Sequence, residues 1–247
     1  MTKRRIMLKV AYDGTAYCGY QIQPNGLSIE EVLNNTLSDF LKEEIKVIGA
    51  SRTDAGVHSM GNVVVFDTLS KIPGEKFSFA INRFLPEDIV IRESKEVSED
   101  FHPRKNKSFK LYRYRILNDT FNIPMYRNYS YHFYRKLDIE NMKKAAGYLI
   151  GSHDFTSFCA VNTPVVDKVR NILEIDIKKE NNFIDIYVKG EGFLYNMVRI
   201  IAGTLIEVGC GHYDALKVKN ILEACDRNEA GPTAPARGLT LMEIKYR

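Results

Sequence analysis

IKVIGASRTDAGVHSMGNVVVF, residues 45–66, sets two apolar runs on either side of a polar loop, and its reading organises the rest of the chain. Ile45–Ile48 and Asn62–Phe66 carry the β-branched and aromatic residues that suit a pleated, half-buried surface. Between them Ala50–Gly61 concentrates Arg52, Asp54, Gly56 and His58, so the spacing predicts strand, loop, strand. Towards the N-terminus, Ser28 and Glu31 form a capping box ahead of Ile29, Val32, Leu33, Leu37, Phe40 and Leu41 at helical spacing. Before that helix, Ile6–Tyr12 reads as a first strand closed by the turn pair Asp13-Gly14. Towards the C-terminus the pattern predicts a short helix over Phe79–Leu85 stopped by Pro86, then strands Ile89–Arg92 and Phe109–Leu117.

The remaining chain repeats the theme. Tyr129–Tyr134 reads as a strand, and Asp138 caps a helix that carries Met142, Ala145, Ala146, Leu149 and Ile150 up to Gly151. Strands Asn171–Lys178 and Phe183–Lys189 precede a long apolar helix from Leu194 to Val208, a helix over Val218–Cys225 and a last strand Leu239–Tyr246. The order lacks the strand–helix alternation of a doubly wound parallel sheet. It predicts an α+β fold of two similar halves, 1–117 and 118–247, with largely antiparallel sheets flanked by helices. No low-complexity linker separates the halves, so a single continuous unit with a shared core is expected.

Composition excludes more than it selects. Of 247 residues, 45% are hydrophobic and 27% charged, the profile of an ordinary globular protein with no run long enough to span a membrane. The basic start, MTKRRIMLKVAYDGT, reads as a strand and not as a signal peptide. Cys18, Cys159, Cys210 and Cys225 are scattered with no C-x-x-C pair, which argues against disulfides and closely spaced metal thiols and suits a cytoplasmic setting. A net charge of +4 permits a nucleic-acid partner without demanding one.

Three features carry chemistry. Asp54 with Arg52 two residues away can be an Asx-turn in a hairpin loop, or a carboxylate that a neighbouring cation holds ionised for nucleophilic or base work. Arg199 interrupts a helix that is apolar nearly all round, so it must snorkel, form a structural ion pair or meet a functional anion such as Asp54. In RKNKSFKLYRYRI, Arg104–Ile116, a strand would place Lys110, Tyr112 and Tyr114 on one face, suited to base stacking or simply to sheet packing. Gly190–Gly192 lacks the third glycine of a dinucleotide fingerprint, and no P-loop is present. The histidines show no ligand spacing, and His153 fits packing near Phe155 and Phe158 better than metal binding. Neither cofactor nor metal is expected.

GASRTDAGVH closely resembles the signature loop of the tRNA pseudouridine synthase A (TruA) family. The likeness continues through AYDGTAYCGYQIQP, INRFLPEDIVI, FHPRKNKSFKLYRYRI, GSHDFTSF, GEGFLYNMVRIIAG and TAPARGLTL, in the family's order and over nearly the whole chain. The resemblance implies an isomerase that turns uridine into pseudouridine at positions 38, 39 and 40 of the tRNA anticodon arm. It implies Asp54 as nucleophile, Arg52 as a supporting neighbour in its loop, Arg199 as the arginine that pairs with it, and Tyr112 as the aromatic against the target base. It also implies two α+β halves meeting across a central cleft, and a homodimer that binds tRNA. The rearrangement gains and loses no atom, so it calls for no redox cofactor or group donor. A non-catalytic tRNA-binding protein or RNA chaperone using the basic–aromatic surface is the alternative, and a small-molecule hydrolase with an Asp–Arg site is a weaker one.

Overall fold

A computed structural model describes residues 3–247. The chain divides into two compact units, Met1–Ser108 with Leu241–Arg247, and Phe109–Thr240.

In the first unit, β1 (Arg4–Tyr12) lies between β3 (His58–Thr68) and β4 (Ile89–Val97), antiparallel to both. The C-terminal strand β10 (Leu239–Tyr246) flanks β3 on its other side, and β2 (Ile48–Gly49) adds a short rung to β3. Helix α1 (Ile29–Leu41) begins at Ser28, whose side chain accepts from the Glu31 amide. Its buried stripe Ile29, Leu33 and Leu37 joins Ile6, Leu8 and Val10 of β1 and Val64 and Phe66 of β3 in one core. Each such side chain removed from water contributes about 1.5–3 kcal/mol. Register is fixed because Ile6 faces Phe66 and Leu8 faces Val64, and a slip of one residue would turn this set to solvent.

In the second unit, β5 (Ser108–Leu117), β9 (Phe183–Gly190), β8 (Val169–Glu180) and β7 (Gly151–Asp154) form an antiparallel row. Helix α3 (Ile139–Gly147) starts where Asp138 accepts from the Asn141 amide, and it packs against α4 (Met197–Gly209) and α5 (Ala215–Ala224). Of the thirteen residues of α4, only Arg199 and Glu207 are not buried.

Both units thus carry antiparallel strands flanked by helices, the α+β class expected. Three departures from the sequence reading have a visible hydrogen-bonding cause. The run over 45–48 is strand only at its end, because the Ile45 amide is bonded by Ser38 Oγ at 2.9 Å and the Val47 amide by Asn34 Oδ1 at 2.8 Å. Side chains of α1 take the place of a strand partner there. The short helix α2 (Phe77–Ile81) ends before Pro86, since the Asn82 amide group bonds both the N–H and the C=O of Ile91. The run 129–134 shrinks to β6 (Tyr131–His132), a parallel rung on β5, because Asn118 donates to the Phe133 and Arg135 carbonyls. No helix of the described residues is long and apolar enough to cross a membrane.

Candidate active site

The loop between β2 and β3 rests on a layer of buried polar groups. Ser51, Thr53, His58, Ser59 and Asn62 are all less than a tenth exposed, and such groups must be hydrogen-bonded to be tolerated. The Asn62 side chain straps the loop's entry, accepting from the Ser51 amide at 3.2 Å and donating to the Ser51 carbonyl at 2.9 Å. Tyr12, the last residue of β1, holds Thr53 Oγ1 at 2.8 Å through its hydroxyl. Burial pushes that phenol up to about 12, so it stays a neutral hydrogen-bonding group across the physiological range. At the loop's exit, His58 Nδ1 lies 3.1 Å from the Gly14 amide and 3.0 Å from Asp13 Oδ1. A single ring nitrogen either accepts from the amide or donates to the carboxylate, so its tautomer selects which clamp closes.

A second strand of chain presses on the loop from residues 17–20. The Tyr20 amide donates to the Thr53 carbonyl at 3.0 Å and the Gly56 amide to the Tyr17 carbonyl at 3.4 Å. Gly19 adopts φ +113°, and a Cβ there would stand 2.8 Å from the Thr53 carbonyl oxygen and 3.2 Å from the Ala55 amide. Only glycine combines that backbone with so close an approach. Within this cradle the Val57 amide closes a turn on the Asp54 carbonyl at 3.1 Å, and Asp54 projects half-buried from the turn.

Arg52 stands two residues before Asp54 in the same loop. Its side chain is exposed and takes part in no ion pair or hydrogen bond among the described residues. The loop presents a half-buried Asp54 on a backbone held by its neighbours, and an exposed Arg52.

In the second unit, the face of β5 bearing Tyr112 and Tyr114 is the buried one. Tyr114 is fully buried and donates to the Pro235 carbonyl at 2.9 Å, and Tyr112 is 7% exposed with its ring edge-on to Phe193 at 5.2 Å. Tyr114 therefore anchors the segment before β10, whereas Tyr112 keeps a small exposed edge. Arg199 sits in the first turn of α4. Its Nε donates to the Ala234 carbonyl at 2.8 Å and its Nη1 to Asn196 Oδ1 at 2.9 Å, while the Ala234 amide returns a bond to the Arg199 carbonyl at 3.1 Å. Asn196 can reach back because it caps the helix in the left-handed conformation, φ +61°. That is also why α4 starts later than its apolar pattern.

His153 is occupied locally: its Nε2 is 2.9 Å from the Ile150 carbonyl and its ring packs edge-on to Phe155. All four cysteines are free thiols. The sequence reading did not single out Tyr12, Asn62 or Asn196 as supports of the site. The one available signal was Asn62, a polar residue opening the otherwise apolar run to Phe66.

A family model described as tRNA pseudouridine synthase matches residues 9–104 and 145–247, the first stretch containing the Asp54 loop and the second Arg199. The chain is 50% identical over 244 residues to tRNA pseudouridine synthase A of Ruminiclostridium cellulolyticum, covering 98% of this chain and 100% of that protein. It is 49% identical over 245 residues to tRNA pseudouridine synthase A 2 of Clostridium tetani and 45% identical over 244 residues to tRNA pseudouridine synthase A of Bacillus pumilus. Each match covers 98% of this chain and 99% of the relative.

Proposed function

The chain belongs to the tRNA pseudouridine synthase family, and from that membership we propose that it isomerises uridine to pseudouridine in tRNA with Asp54 as the nucleophilic carboxylate. One observation carries the assignment of the residue: the loop around Asp54 is bonded on both sides by buried polar groups, yet Asp54 itself is only half-buried. Such a side chain is pre-positioned, and geometry held in advance is where much of an enzyme's rate comes from.

The reaction breaks the C1′–N1 bond, turns the base and joins C1′ to C5. Attack on C1′, attack on C6 and assistance to a glycal all draw on one ionised carboxylate at this place. The target nucleotide must leave its stack, which costs a few kcal/mol in a helix and less in a loop. Tyr112 receives the extruded base, its ring already held by Phe193. Arg199 supports the carboxylate as the arginine that pairs with it in this family. Arg52 supports the reaction from its exposed position by meeting RNA phosphate. We further assign uridines 38, 39 and 40 of the anticodon arm as targets, a homodimer as the working form and the cytoplasm as the location.

The test incubates the purified chain with an unmodified tRNA transcript carrying uridines at those three positions. Pseudouridine is then mapped by carbodiimide labelling and primer extension, with Asp54→Ala in parallel. Stops at these uridines with the wild type alone support the activity and the residue. Tight binding without stops would favour the non-catalytic RNA-binding reading or another target position. Light scattering of the purified chain tests the dimer.

A further inference from the structure

The two residues of α4 that escape burial carry charges at the ends where the helix dipole disfavours them, with Arg199 in the first turn and Glu207 in the last. Arg199 is bound up with Ala234 and Asn196. Glu207 has an unrelated setting. We propose that Glu207, Cys210 and His212 form a binding site for Zn²⁺ or a divalent cation of similar softness at the carbonyl end of α4.

The three side chains each offer one ligand atom, and these atoms all lie within 4.8 Å of one another. His212 Nδ1 is 2.6 Å from Glu207 Oε2 and 3.5 Å from Cys210 Sγ. Tetrahedral zinc, with bonds of about 2.0–2.3 Å, holds its ligand atoms roughly 3.3–3.7 Å apart. The sulfur–nitrogen pair already has that spacing, and the oxygen–nitrogen pair reaches it when the metal replaces the present hydrogen bond. Thiolate, imidazole and carboxylate together favour zinc or cobalt over magnesium and calcium, which take oxygen ligands.

Backbone geometry builds the cluster. Glu207 and Cys210 stand one turn apart on the same side of the helix end. Gly211 then turns the chain with φ +80°, and the amides of His212 and Tyr213 both return to the Glu207 carbonyl, at 3.0 and 3.3 Å. This fold-back lays the imidazole over the last turn, at the end of the helix where the dipole favours a cation. The side chains of Glu207 and His212 are 23% and 52% exposed, so an ion can enter and a fourth position stays open to water. The Glu-x-x-Cys-x-His spacing matches no familiar thiol pair, and the site becomes visible only once the turn is known.

One charge opposes the ion. Arg135 Nη1 lies 3.0 Å from His212 Nε2. When Nδ1 holds metal, the ring proton sits on Nε2, and two donors cannot face each other, so Arg135 must turn aside. It is solvent-exposed, and its other partner, the Tyr134 hydroxyl 3.2 Å from Nε, is its neighbour in the chain. The thiol proton leaves to solvent as the bond to sulfur forms.

The test is a Co²⁺ titration of the reduced full-length protein, read by the near-ultraviolet band of a cobalt thiolate and by its bleaching with Zn²⁺. We expect a band saturating at one equivalent, unaffected by excess Mg²⁺. It should vanish in Cys210→Ser, weaken in affinity by at least about tenfold in His212→Ala, and persist in Cys225→Ser. Arg135→Ala should tighten binding. All these residues lie at the surface or in part at it, and circular dichroism confirms that each variant is folded. No band in the wild type, or a band that survives Cys210→Ser, would overturn the proposal. Because the readout is spectroscopic, neither result depends on the isomerase reading.

Discussion

Asp54 and Arg199 are charged residues fixed by opposite means. Asp54 stands on a loop whose polar residues are held by specific hydrogen bonds from Tyr12, Asn62 and the Tyr20 amide. Arg199 stands on a helix whose other residues, Glu207 excepted, are buried, so its backbone is placed by packing and only its side chain needs polar partners. A hydrogen-bonded cradle concentrates its positioning in a few specific atoms. A packed helix spreads it over many buried side chains. The first should fail through single-atom changes and the second should resist them.

The sharpest separation is between the carboxylate and everything that holds it. Asp54→Asn should lower turnover by about 10⁴-fold or more, the scale typical of a lost nucleophile, with tRNA affinity and thermal stability near wild type. Residual activity above about a hundredth of wild type would remove Asp54 from that role. Next comes the cradle. Gly19→Ala forces a side chain into positive φ against the Thr53 carbonyl and should cost about 1–3 kcal/mol in urea unfolding. Displacing Asp54 by even an ångström should also cost on the order of 10²-fold in kcat. If Gly19→Ala lost stability but kept full turnover, the cradle would be a structural device alone.

Much of this was readable beforehand and some was not. α1 and β10 follow their readings closely; for α1 the Ser28 cap with a regular apolar stripe leaves few competing structures. The 45–48 run misleads because Ser38 and Asn34, ten residues or so upstream, satisfy its amides, and no local pattern records that partnership. Asp54 stood out as a candidate because polar residues crowd one loop. Its supports were not, since Tyr12 looks like any strand tyrosine until the fold brings it to Thr53.

Tyr12→Phe removes one hydroxyl from the cradle and should cost about 1 kcal/mol at neutral pH, with a smaller fall in kcat than Gly19→Ala. It also changes the alkaline limb. Burial raises the Tyr12 phenol from 10.0 to about 12, so its contribution is complete below pH 10 and is lost as pH rises through the folded value. Tyr17, Tyr20, Tyr114 and Tyr246 are raised by burial as well. Stability should therefore fall above about pH 10, less steeply in Tyr12→Phe, as measured by urea unfolding at each pH. An unchanged slope would mean that the phenol is not held as the hydrogen bonds indicate.

The smallest effect belongs to Arg52. Arg52→Ala should leave stability within about 0.5 kcal/mol of wild type. It should raise KM for tRNA and reduce the salt dependence of binding by about one ion. A change in kcat alone would instead tie Arg52 to the carboxylate.

Two of the bonds that hold the Asp54 loop join residues far apart in the chain: Tyr12 to Thr53 spans 41 positions and Gly14 to His58 spans 44. Contacts of such separation close late in folding, after helices and local turns have formed. Catalytic competence then becomes a clock for the last stage of refolding. Far-ultraviolet signal should recover first, and activity should trail it until the end of β1 has docked beneath the loop.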